Sequence, residues 1–224
     1  MMKKILVIGK NSLLAKNFLL HIDRNKSFEI NSCRHKNIPS EINSYDFVVN
    51  FSFNPKLYTN EYIEKYDQDL KIAKLIRNSK KTKMVIFSSR QVYGVHNDLY
   101  TFKEDDVDLN RTMTTYGLNK VQCENNVKKC INDNSRLLIC RSANIFSQKV
   151  GGKNFTGIAL NSLLKNDLIM LNSSRRVVKD FLPVDLHSII IQRLVIDNDT
   201  ENRMLYTNLG LNFAIKNLKC YSKT

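Results

Sequence analysis

Near its start the chain reads Lys4-Ile5-Leu6-Val7-Ile8-Gly9-Lys10-Asn11-Ser12, an apolar run followed directly by a turn. An amphipathic helical pattern then covers Leu13–Ile22, so the predicted order is strand, tight turn and helix. Asn11 or Ser12 can cap that helix, and the free backbone N–H groups at its start favour a phosphate group. This stretch therefore predicts a phosphate-binding turn behind a first buried strand.

Apolar runs and helical patterns alternate along the rest of the chain. Further strands are predicted at Phe28–Ser32, Asp46–Phe51, Met84–Ser88, Arg136–Cys140, Leu168–Leu171 and Met204–Leu209. Further helices are predicted at Asn60–Arg77, Thr114–Lys129, Phe155–Leu164 and Asp185–Val195. Alternation of this kind builds an α/β fold with a doubly wound parallel sheet.

Composition limits the class of protein. The chain has 224 residues and is 42% apolar, which suits a packed core. No apolar run approaches the roughly 20 residues of a membrane span, and the run after Lys4 is too short for an export signal, so we expect no membrane association. Five cysteines without a Cys-x-x-Cys pair and four scattered histidines indicate reduced thiols in the cytoplasm and no metal site.

The net charge of +14 has three interpretations. It can attract nucleic acid, although no recognition motif accompanies it and we expect no such partner. It can attract anionic small molecules such as dinucleotides and sugar diphosphates. It can also reflect lysine-rich solvated helix faces, the plainest of the three interpretations.

A tyrosine and a lysine four residues apart, Tyr116 and Lys120, share one face of a predicted helix. A free tyrosine has a pKa of about 10, and a nearby ammonium lowers it. Bringing that pKa to about 7 takes about 4 kcal/mol, much of which a close cation in a dry cleft can supply. Ser89 ends an apolar strand and can hydrogen-bond the same substrate oxygen. The spacing alone also occurs in ordinary exposed helices.

The surrounding motifs make the combination more specific, because Ser88-Ser89-Arg90-Gln91-Val92-Tyr93-Gly94 precedes Tyr116-Gly-Leu-Asn-Lys120. Together they resemble the extended short-chain dehydrogenase/reductases, the NAD(P)-dependent epimerase/dehydratases that act on nucleotide sugars. The resemblance implies a Rossmann fold and makes Tyr116, Lys120 and Ser89 the catalytic residues. It implies a cytoplasmic oxidoreductase or epimerase of surface polysaccharide biosynthesis, and a homodimer.

The same resemblance assigns cofactor-binding residues. They are Gly9, Asn11, Ser12, Leu13, Leu14, Arg34, Phe51, Ser52, Ser88, Tyr116 and Lys120. Ser12 stands where the family has its second loop glycine, and its Cβ lies where the backbone approaches a pyrophosphate. Arg34 follows the second strand, where no acidic residue is present, and this favours NADP(H) slightly over NAD(H) as the cofactor. A solvated basic loop is the alternative explanation of Arg34.

Substrate-binding residues are also implied by resemblance: Ser89, Arg90, Tyr116, Asn144, Arg175 and Arg176. Asn144 lies in Arg141-Ser-Ala-Asn-Ile-Phe146, which resembles the family's Arg-x-x-Asn-Val-Tyr-Gly, where the asparagine commonly meets the substrate diphosphate. An Asn that only satisfies a turn is a rival interpretation. Arg175 and Arg176 precede a Lys179-Asp-Phe-Leu-Pro-Val-Asp185 motif and are available for a phosphate.

Two expectations concern the outline of the fold. The family fits a helix and a further strand between Ser32 and Asp46, where this chain is short, so we expect a trimmed sheet edge. We expect an NAD(P)-binding domain over residues 1–150 and a reduced, incomplete substrate lobe over residues 151–224, with segments that return to the Rossmann core.

Within the enzyme class, 4-keto reduction and 4-epimerisation are the main choices. Arg90-Gln91 replaces the Asp-Glu pair that dehydratases of the family usually carry, which disfavours dehydration. The alternative class is a dinucleotide-binding regulatory or scaffold protein that has lost turnover, and Ser12 motivates it.

Overall fold

The structure is a computed structural model, and it describes residues 2–22, 28–94, 102–111, 113–147, 155–167, 180–197 and 206–209. The strands are β1 (Lys3–Ile8), β2 (Phe28–Cys33), β3 (Phe47–Asn50), β4 (Lys83–Ser89), β5 (Leu137–Ser142), β6 (Asn144–Phe146), β7 (Phe181–Pro183) and β8 (Tyr206–Leu209). The helices are α1 (Leu13–Ile22), α2 (Gln68–Ile76), α3 (Thr115–Ile131), α4 (Phe155–Leu164) and α5 (Val184–Asp197).

Six strands form one parallel sheet in the order β2-β1-β3-β4-β5-β8. The order reverses at β1, so the carboxyl ends of β1 and β3 border a crevice at a topological switch point. This confirms the predicted doubly wound parallel sheet of the Rossmann type.

The sheet edge beside β2 is trimmed, as predicted. Between β2 and β3 the chain forms only a short 3-10 turn, Ile42–Ser44, in place of a helix and a strand. The strand β2 is therefore the outermost strand on that side.

Side chains of β1 alternate between two cores because successive residues of a strand face opposite sides of the sheet. Ile5 and Val7 pack in the core under α1 and α5. Leu6 and Ile8 pack in the core under α2 and α3. A sheet that is apolar on both faces needs helices on both, which explains the continuous apolar runs of the sequence.

The predicted helix over Asn60–Arg77 is wrong at its start. The segment before α2 contains a 3-10 turn, Glu64–Tyr66, and α2 begins after Asp67. The Asp67 carboxylate accepts a hydrogen bond from the backbone N–H of Leu70 at 2.9 Å, so it caps the helix there. Capping by Asp67 sets the first residue of α2 more strongly than the amphipathic pattern upstream.

A small second sheet pairs β6 with β7 in parallel, a pairing that the sequence did not predict. Of the predicted strand over Met204–Leu209, the described part is β8. The strand predicted over Leu168–Leu171 lies outside the described residues. Among the described helices, none combines the length and the apolar character that crossing a bilayer requires.

Candidate active site

The turn between β1 and α1 requires glycine at position 9. Gly9 has a φ of 85°, and a Cβ added there would lie 2.7 Å from the backbone nitrogen of Ser52. The N–H groups of Gly9 and Lys10 both donate to the carbonyl oxygen of Cys33, at 3.0 and 3.2 Å. The turn is therefore packed tightly between the carboxyl ends of β2 and β3, and any side chain at Gly9 would push them apart.

Ser12 caps α1, which was one of the two capping residues that the sequence predicted. Its Oγ accepts a hydrogen bond from the N–H of Ala15 at 3.1 Å, and its carbonyl oxygen accepts from Lys16 at 3.0 Å. The hydroxyl of Ser12 keeps its own proton for an acceptor outside the helix. Where the family has a flexible glycine, this chain therefore has a side chain that caps α1.

One cavity of about 270 Å³ lies at the carboxyl ends of the central strands. It is lined by Leu14, Asn50, Phe51, Ser52, Phe53, Tyr58, Phe87, Ser88, Ser89, Tyr116, Lys120, Ser142, Ala143 and Ile145. The structure thus brings together seven of the residues predicted from sequence: Leu14, Phe51, Ser52, Ser88, Ser89, Tyr116 and Lys120. Gly9, Asn11, Ser12 and Leu13 form the adjoining turn and helix start but do not line the cavity.

Lys120 is held rigidly at the inner end of this cavity. It is 5% exposed, and its Nζ donates to the carbonyl oxygen of Phe87 at 2.7 Å. The same Nζ lies 3.9 Å from Asp69 Oδ2 and 4.8 Å from the centre of the Phe53 ring. Burial disfavours the ammonium, but Tyr116 and Asp69 outweigh it, so the pKa of Lys120 is raised and the side chain is charged.

Tyr116 occupies a more apolar setting than the sequence indicated. Its ring packs edge-on against Phe53, with centroids 5.7 Å apart, and tilted against Tyr58 at 4.8 Å. Burial raises the pKa of Tyr116 above its usual range, and the ammonium of Lys120 opposes that rise without reversing it. The expected effect of Lys120 is present, but the expected net lowering is not, because burial has the larger effect.

Ser89 ends β4 with its hydroxyl at the cavity wall. Its Oγ accepts a hydrogen bond from the N–H of Gln91 at 3.2 Å, so the hydroxyl proton remains available to an oxygen in the cavity. The neighbouring Ser88 Oγ is buried and has no hydrogen-bond partner among the residues that the structure describes. A buried hydroxyl without a partner at a cavity wall is a site where a ligand atom can bind.

The loop after β3 is tied to α3 by side chains of that helix. Asn119 Nδ2 donates to the carbonyl oxygens of Leu57 at 3.0 Å and of Asn60 at 2.7 Å. Asn126 Nδ2 donates to the Tyr62 hydroxyl at 2.8 Å. These bonds hold the aromatic wall of Phe53 and Tyr58 over Tyr116, which sequence spacing did not indicate.

Gly117 lets α3 approach the end of β4 closely. A Cβ at this position would lie 2.6 Å from the carbonyl oxygen of Gln91. The side chain of Thr114 caps α3 through the N–H of Gly117 at 3.0 Å and donates to Gln91 Oε1 at 2.6 Å. Glycine in the Tyr-x-x-x-Lys segment therefore lets the start of α3 pack against the 3-10 turn that follows Ser89.

Of the predicted substrate residues outside the cavity lining, Arg90 is half-buried, and its Nε has no hydrogen-bond partner among the described residues. Burial lowers the pKa of Arg90, while the charge of Asp180 opposes that effect. Asn144 Nδ2 donates to the carbonyl oxygen of Asp180 at 2.8 Å, so its amide joins β6 to the residue before β7. Arg175 and Arg176 lie outside the described residues.

Arg34 lies apart from the cavity, in a separate basic pocket. This pocket is formed by Lys10, Ser32, Cys33, Arg34 and Asn37 at the ends of β2 and the turn after β1. Two cations beside the end of β2 suit an anionic group attached to a ligand that also contacts the Gly9 turn.

Solved structures with this fold come from several nucleotide-sugar enzymes. The dTDP-glucose 4,6-dehydratase of Bacillus anthracis str. Ames, in complex with NAD, is 16% identical with a TM-score of 0.74, over 94% of this chain and 76% of that one. The UDP-N-acetylglucosamine 4-epimerase of Bacillus cereus is 14% identical with a TM-score of 0.70, over 95% and 79%. The dTDP-4-dehydrorhamnose reductase of Bacillus anthracis str. Ames, in complex with NADP, is 13% identical with a TM-score of 0.70, over 94% and 75%.

At these identities the likeness establishes the fold. No curated protein sequence matches this chain. The NAD dependent epimerase/dehydratase family matches it over residues 17–189, from the middle of α1 to the first half of α5. That match covers well over half of the chain and includes Ser89, Tyr116 and Lys120. The chain therefore belongs to the NAD-dependent epimerase/dehydratase family.

Proposed function

We propose that this protein is an NAD(P)-dependent oxidoreductase or epimerase that acts on a nucleotide-diphosphate sugar. The observation that carries the proposal is that Ser89, Tyr116 and Lys120 line one cavity. The strand β4 supplies Ser89 and the helix α3 supplies Tyr116 and Lys120, at the carboxyl end of the sheet beside the Gly9 turn. The 4-keto reduction or 4-epimerisation of a sugar needs these three groups at one carbon–oxygen centre.

The residues present fit a dinucleotide cofactor. Because Gly9 has no Cβ, the turn packs closely against the chain that follows β3. The start of α1 offers N–H groups to a pyrophosphate. Ser88 Oγ is buried at the cavity wall without a partner in the described part of the chain. A bound nicotinamide would supply or accept the hydride at the sugar carbon.

Within this chain, Tyr116 would transfer the proton at the sugar oxygen and Ser89 would donate a hydrogen bond to it. The raised pKa of Tyr116 keeps the phenol protonated near neutral pH. A protonated phenol is the form that gives a proton to a keto-sugar, so the reducing direction is favoured. Lys120 holds a positive charge at the same place and stabilises negative charge that develops on the phenol.

NADP(H) is the cofactor that the basic pocket favours. Arg34 and Lys10 line it together, and a guanidinium suits a ribose 2′-phosphate. A reductase releases its cofactor in every cycle, so a preference for NADPH also favours 4-keto reduction over 4-epimerisation. We further propose that residues 1–150 hold the cofactor, that the rest of the chain contributes to the sugar site, and that the product serves surface polysaccharide synthesis in the cytoplasm.

A homodimer through the outer face of α3 is part of the proposal. Leu118 lies on this face and is 47% exposed, one residue from Gly117 in the Tyr116–Lys120 segment. Light scattering at several protein concentrations tests the dimer, and Leu118→Glu should weaken it while leaving the fold intact.

The alternative is a dinucleotide-binding scaffold without turnover. Phe53 favours it, because its ring stands in the cavity wall against both Tyr116 and Lys120 and narrows the space beside them. Ser12, whose Cβ stands where the family has its second loop glycine, is the second observation in its favour.

One experiment separates the two. Thermal shifts with NAD(H) and NADP(H) measure cofactor binding, and consumption of NADPH with a panel of 4-keto nucleotide sugars measures turnover. Oxidation of NADPH with a matching sugar product supports the enzyme. Cofactor binding without turnover of any keto-sugar or epimerisation of any nucleotide sugar supports the scaffold.

A further inference from the structure

A buried carboxylate lies behind the cavity, at the start of α2. Asp69 is 5% exposed and sits two residues after the Asp67 cap. Its Oδ1 accepts a hydrogen bond from Asn50 Nδ2 at 2.6 Å, and its Oδ2 lies 3.9 Å from Lys120 Nζ. Asp69 does not line the cavity, and the function proposed above gives it no role.

The Asn50 contact extends to the cavity wall. Because Nδ2 of Asn50 faces Asp69, its Oδ1 faces Ser52 and accepts from the Ser52 N–H at 2.9 Å and from the Ser52 hydroxyl at 2.5 Å. Asp69 therefore fixes which way the Asn50 amide points, and with it the hydroxyl of Ser52 beside the Gly9 turn.

The charged and titratable groups around Asp69 come from two helices. Burial raises the pKa of Asp69 to about 6, Lys120 of α3 lowers it, and Asp67 at the start of α2 and Glu124 of α3 raise it. Glu124 is engaged by Arg141, whose Nη2 lies 2.7 Å from its carboxylate. At neutral pH Asp69 is therefore mostly ionised and faces the Lys120 ammonium.

Two further groups of α3, Tyr116 and Cys123, face the same ammonium. The Tyr116 phenol and the Asp69 carboxylate thus share a single buried cation. A negative charge on one of them disfavours a negative charge on the other, because low-dielectric surroundings screen their repulsion weakly.

We propose that Asp69 is a positioning residue for the Tyr116–Lys120 pair, whose carboxylate faces the Lys120 ammonium and neutralises part of its charge before that charge acts on the phenol. Lys120 is held at the same time by the Phe87 carbonyl oxygen, so it stays in place when the charge of Asp69 changes. The catalytic consequence rests on the function proposed above, whereas the electrostatic coupling does not.

The test is a titration of Tyr116 in the cofactor-free protein. Ultraviolet absorbance reports phenolate, and the difference between a chain with Tyr116 and its Tyr116→Phe counterpart isolates this one tyrosine. The same pair of measurements is made in an Asp69→Asn background. Asparagine keeps the oxygen that accepts from Asn50 and removes the charge.

We expect the pKa of Tyr116 in Asp69→Asn to fall by about one pH unit, a tenfold increase in the phenolate-to-phenol ratio at a given pH. Glu64→Gln is the matched control, because Glu64 is an exposed carboxylate of the segment before α2 that pairs with Lys74. The control should leave the titration of Tyr116 unchanged.

An unchanged or raised pKa of Tyr116 in folded Asp69→Asn would overturn the proposal. If Asp69→Asn does not fold, as judged by circular dichroism, Asp69→Ser removes the same charge with a smaller polar side chain. Failure of both variants to fold would show that Asp69 supports the fold only, which also overturns the proposal. Because no cofactor or sugar is present, the result is independent of whether the protein turns over a nucleotide sugar.

Discussion

Lys120 Nζ donates a 2.7 Å hydrogen bond to the carbonyl oxygen of Phe87 and thereby joins α3 to β4, two residues before Ser89. This bond positions the Lys120 side chain at the candidate site. The bond holds the ammonium near the end of β4, where Ser89 lies. Tyr116 lies one helical turn before Lys120, and it faces the same cavity as Ser89.

Removal of the Tyr116 hydroxyl should abolish proton transfer without disturbing the cavity. Tyr116→Phe is expected to lower kcat by about 10²- to 10⁴-fold while the affinity for NADPH stays the same. Steady-state kinetics and thermal shifts measure the two quantities. Tyr66→Phe is the matched control, because the Tyr66 hydroxyl also faces a lysine, Lys56 Nζ at 3.2 Å, but lies outside the cavity lining.

Equal loss of activity in Tyr66→Phe, or full activity in Tyr116→Phe, would contradict the assignment of Tyr116. A loss of NADPH binding in Tyr116→Phe would indicate instead that the phenol shapes the cofactor site.

Arg34 should govern the choice between NADPH and NADH. Arg34→Ala is expected to weaken NADPH binding by about tenfold, because a charge-assisted hydrogen bond to phosphate is worth more than 1 kcal/mol, and to leave NADH binding unchanged. Isothermal titration calorimetry at low salt measures both affinities. Lys36→Ala serves as the control, since Lys36 is a nearby exposed cation that does not line the basic pocket.

If Lys36→Ala weakens NADPH binding as much as Arg34→Ala does, the loop acts only through its total charge. That outcome would support the alternative explanation of a solvated basic loop.

Gly117→Ala should destabilise the protein although alanine favours helices. Helix propensity alone would stabilise the variant by up to about 1 kcal/mol. The new Cβ would lie 2.6 Å from the Gln91 carbonyl oxygen, and overpacking against backbone costs about 1–3 kcal/mol. Urea unfolding measures the sign, and a stabilised Gly117→Ala would show that α3 and the turn after β4 do not approach so closely.

Breaking the buried ion pair of Arg141 and Glu124 should strongly lower the free energy of unfolding. Arg141 Nε and Nη2 donate to the two carboxylate oxygens at 3.1 and 2.7 Å, and both side chains are 3% exposed. Glu124→Gln removes the carboxylate charge beside a buried guanidinium and should lower the free energy of unfolding by about 3–5 kcal/mol.

The exposed pair of Lys74 and Glu64 provides the comparison for that measurement, with side chains 50% and 62% exposed. Glu64→Gln should change the free energy of unfolding by less than about 1 kcal/mol. Equal effects of the two substitutions would mean that water reaches the Arg141 pair.

His187 should make stability fall in mild acid. Burial lowers the pKa of His187 to about 4, below its unfolded value of about 6.5. Between these values the unfolded chain binds more protons than the native one, so the free energy of unfolding rises with pH in this window. The stabilising contribution of His187 is lost as the pH falls through the window. The full contribution is about 3 kcal/mol.

Urea unfolding at several pH values between 4 and 7 tests this, with His187→Phe as the comparison. The variant should have a smaller slope with pH, whatever its absolute stability. Identical slopes would exclude His187 as the source. Asp69 has the opposite sign, because its pKa of about 6 is raised above its unfolded value, and it favours the native state most strongly in acid.

The sequence by itself determined the parts of this protein that depend on local pattern. Apolar runs between helical segments fixed the parallel sheet, and the short link after β2 fixed its trimmed edge. Spacing of four residues put Tyr116 and Lys120 on one face of α3, and the end of an apolar strand put Ser89 beside them. The strands, the helices and the Tyr116–Lys120 face follow from periodicity, which each segment carries in its own residues. The trimmed edge and the place of Ser89 beside that pair were implied by the family resemblance.

Only the tertiary structure decided the features that depend on burial and on contacts between distant segments. The direction of the Tyr116 pKa depends on desolvation by Phe53 and Tyr58, which come from another loop. The pairing of β6 with β7 and the contact of Asp69 with Lys120 likewise join segments far apart in the chain. Desolvation and charge pairing depend on what folding brings near a group, and no local spacing in the sequence records that.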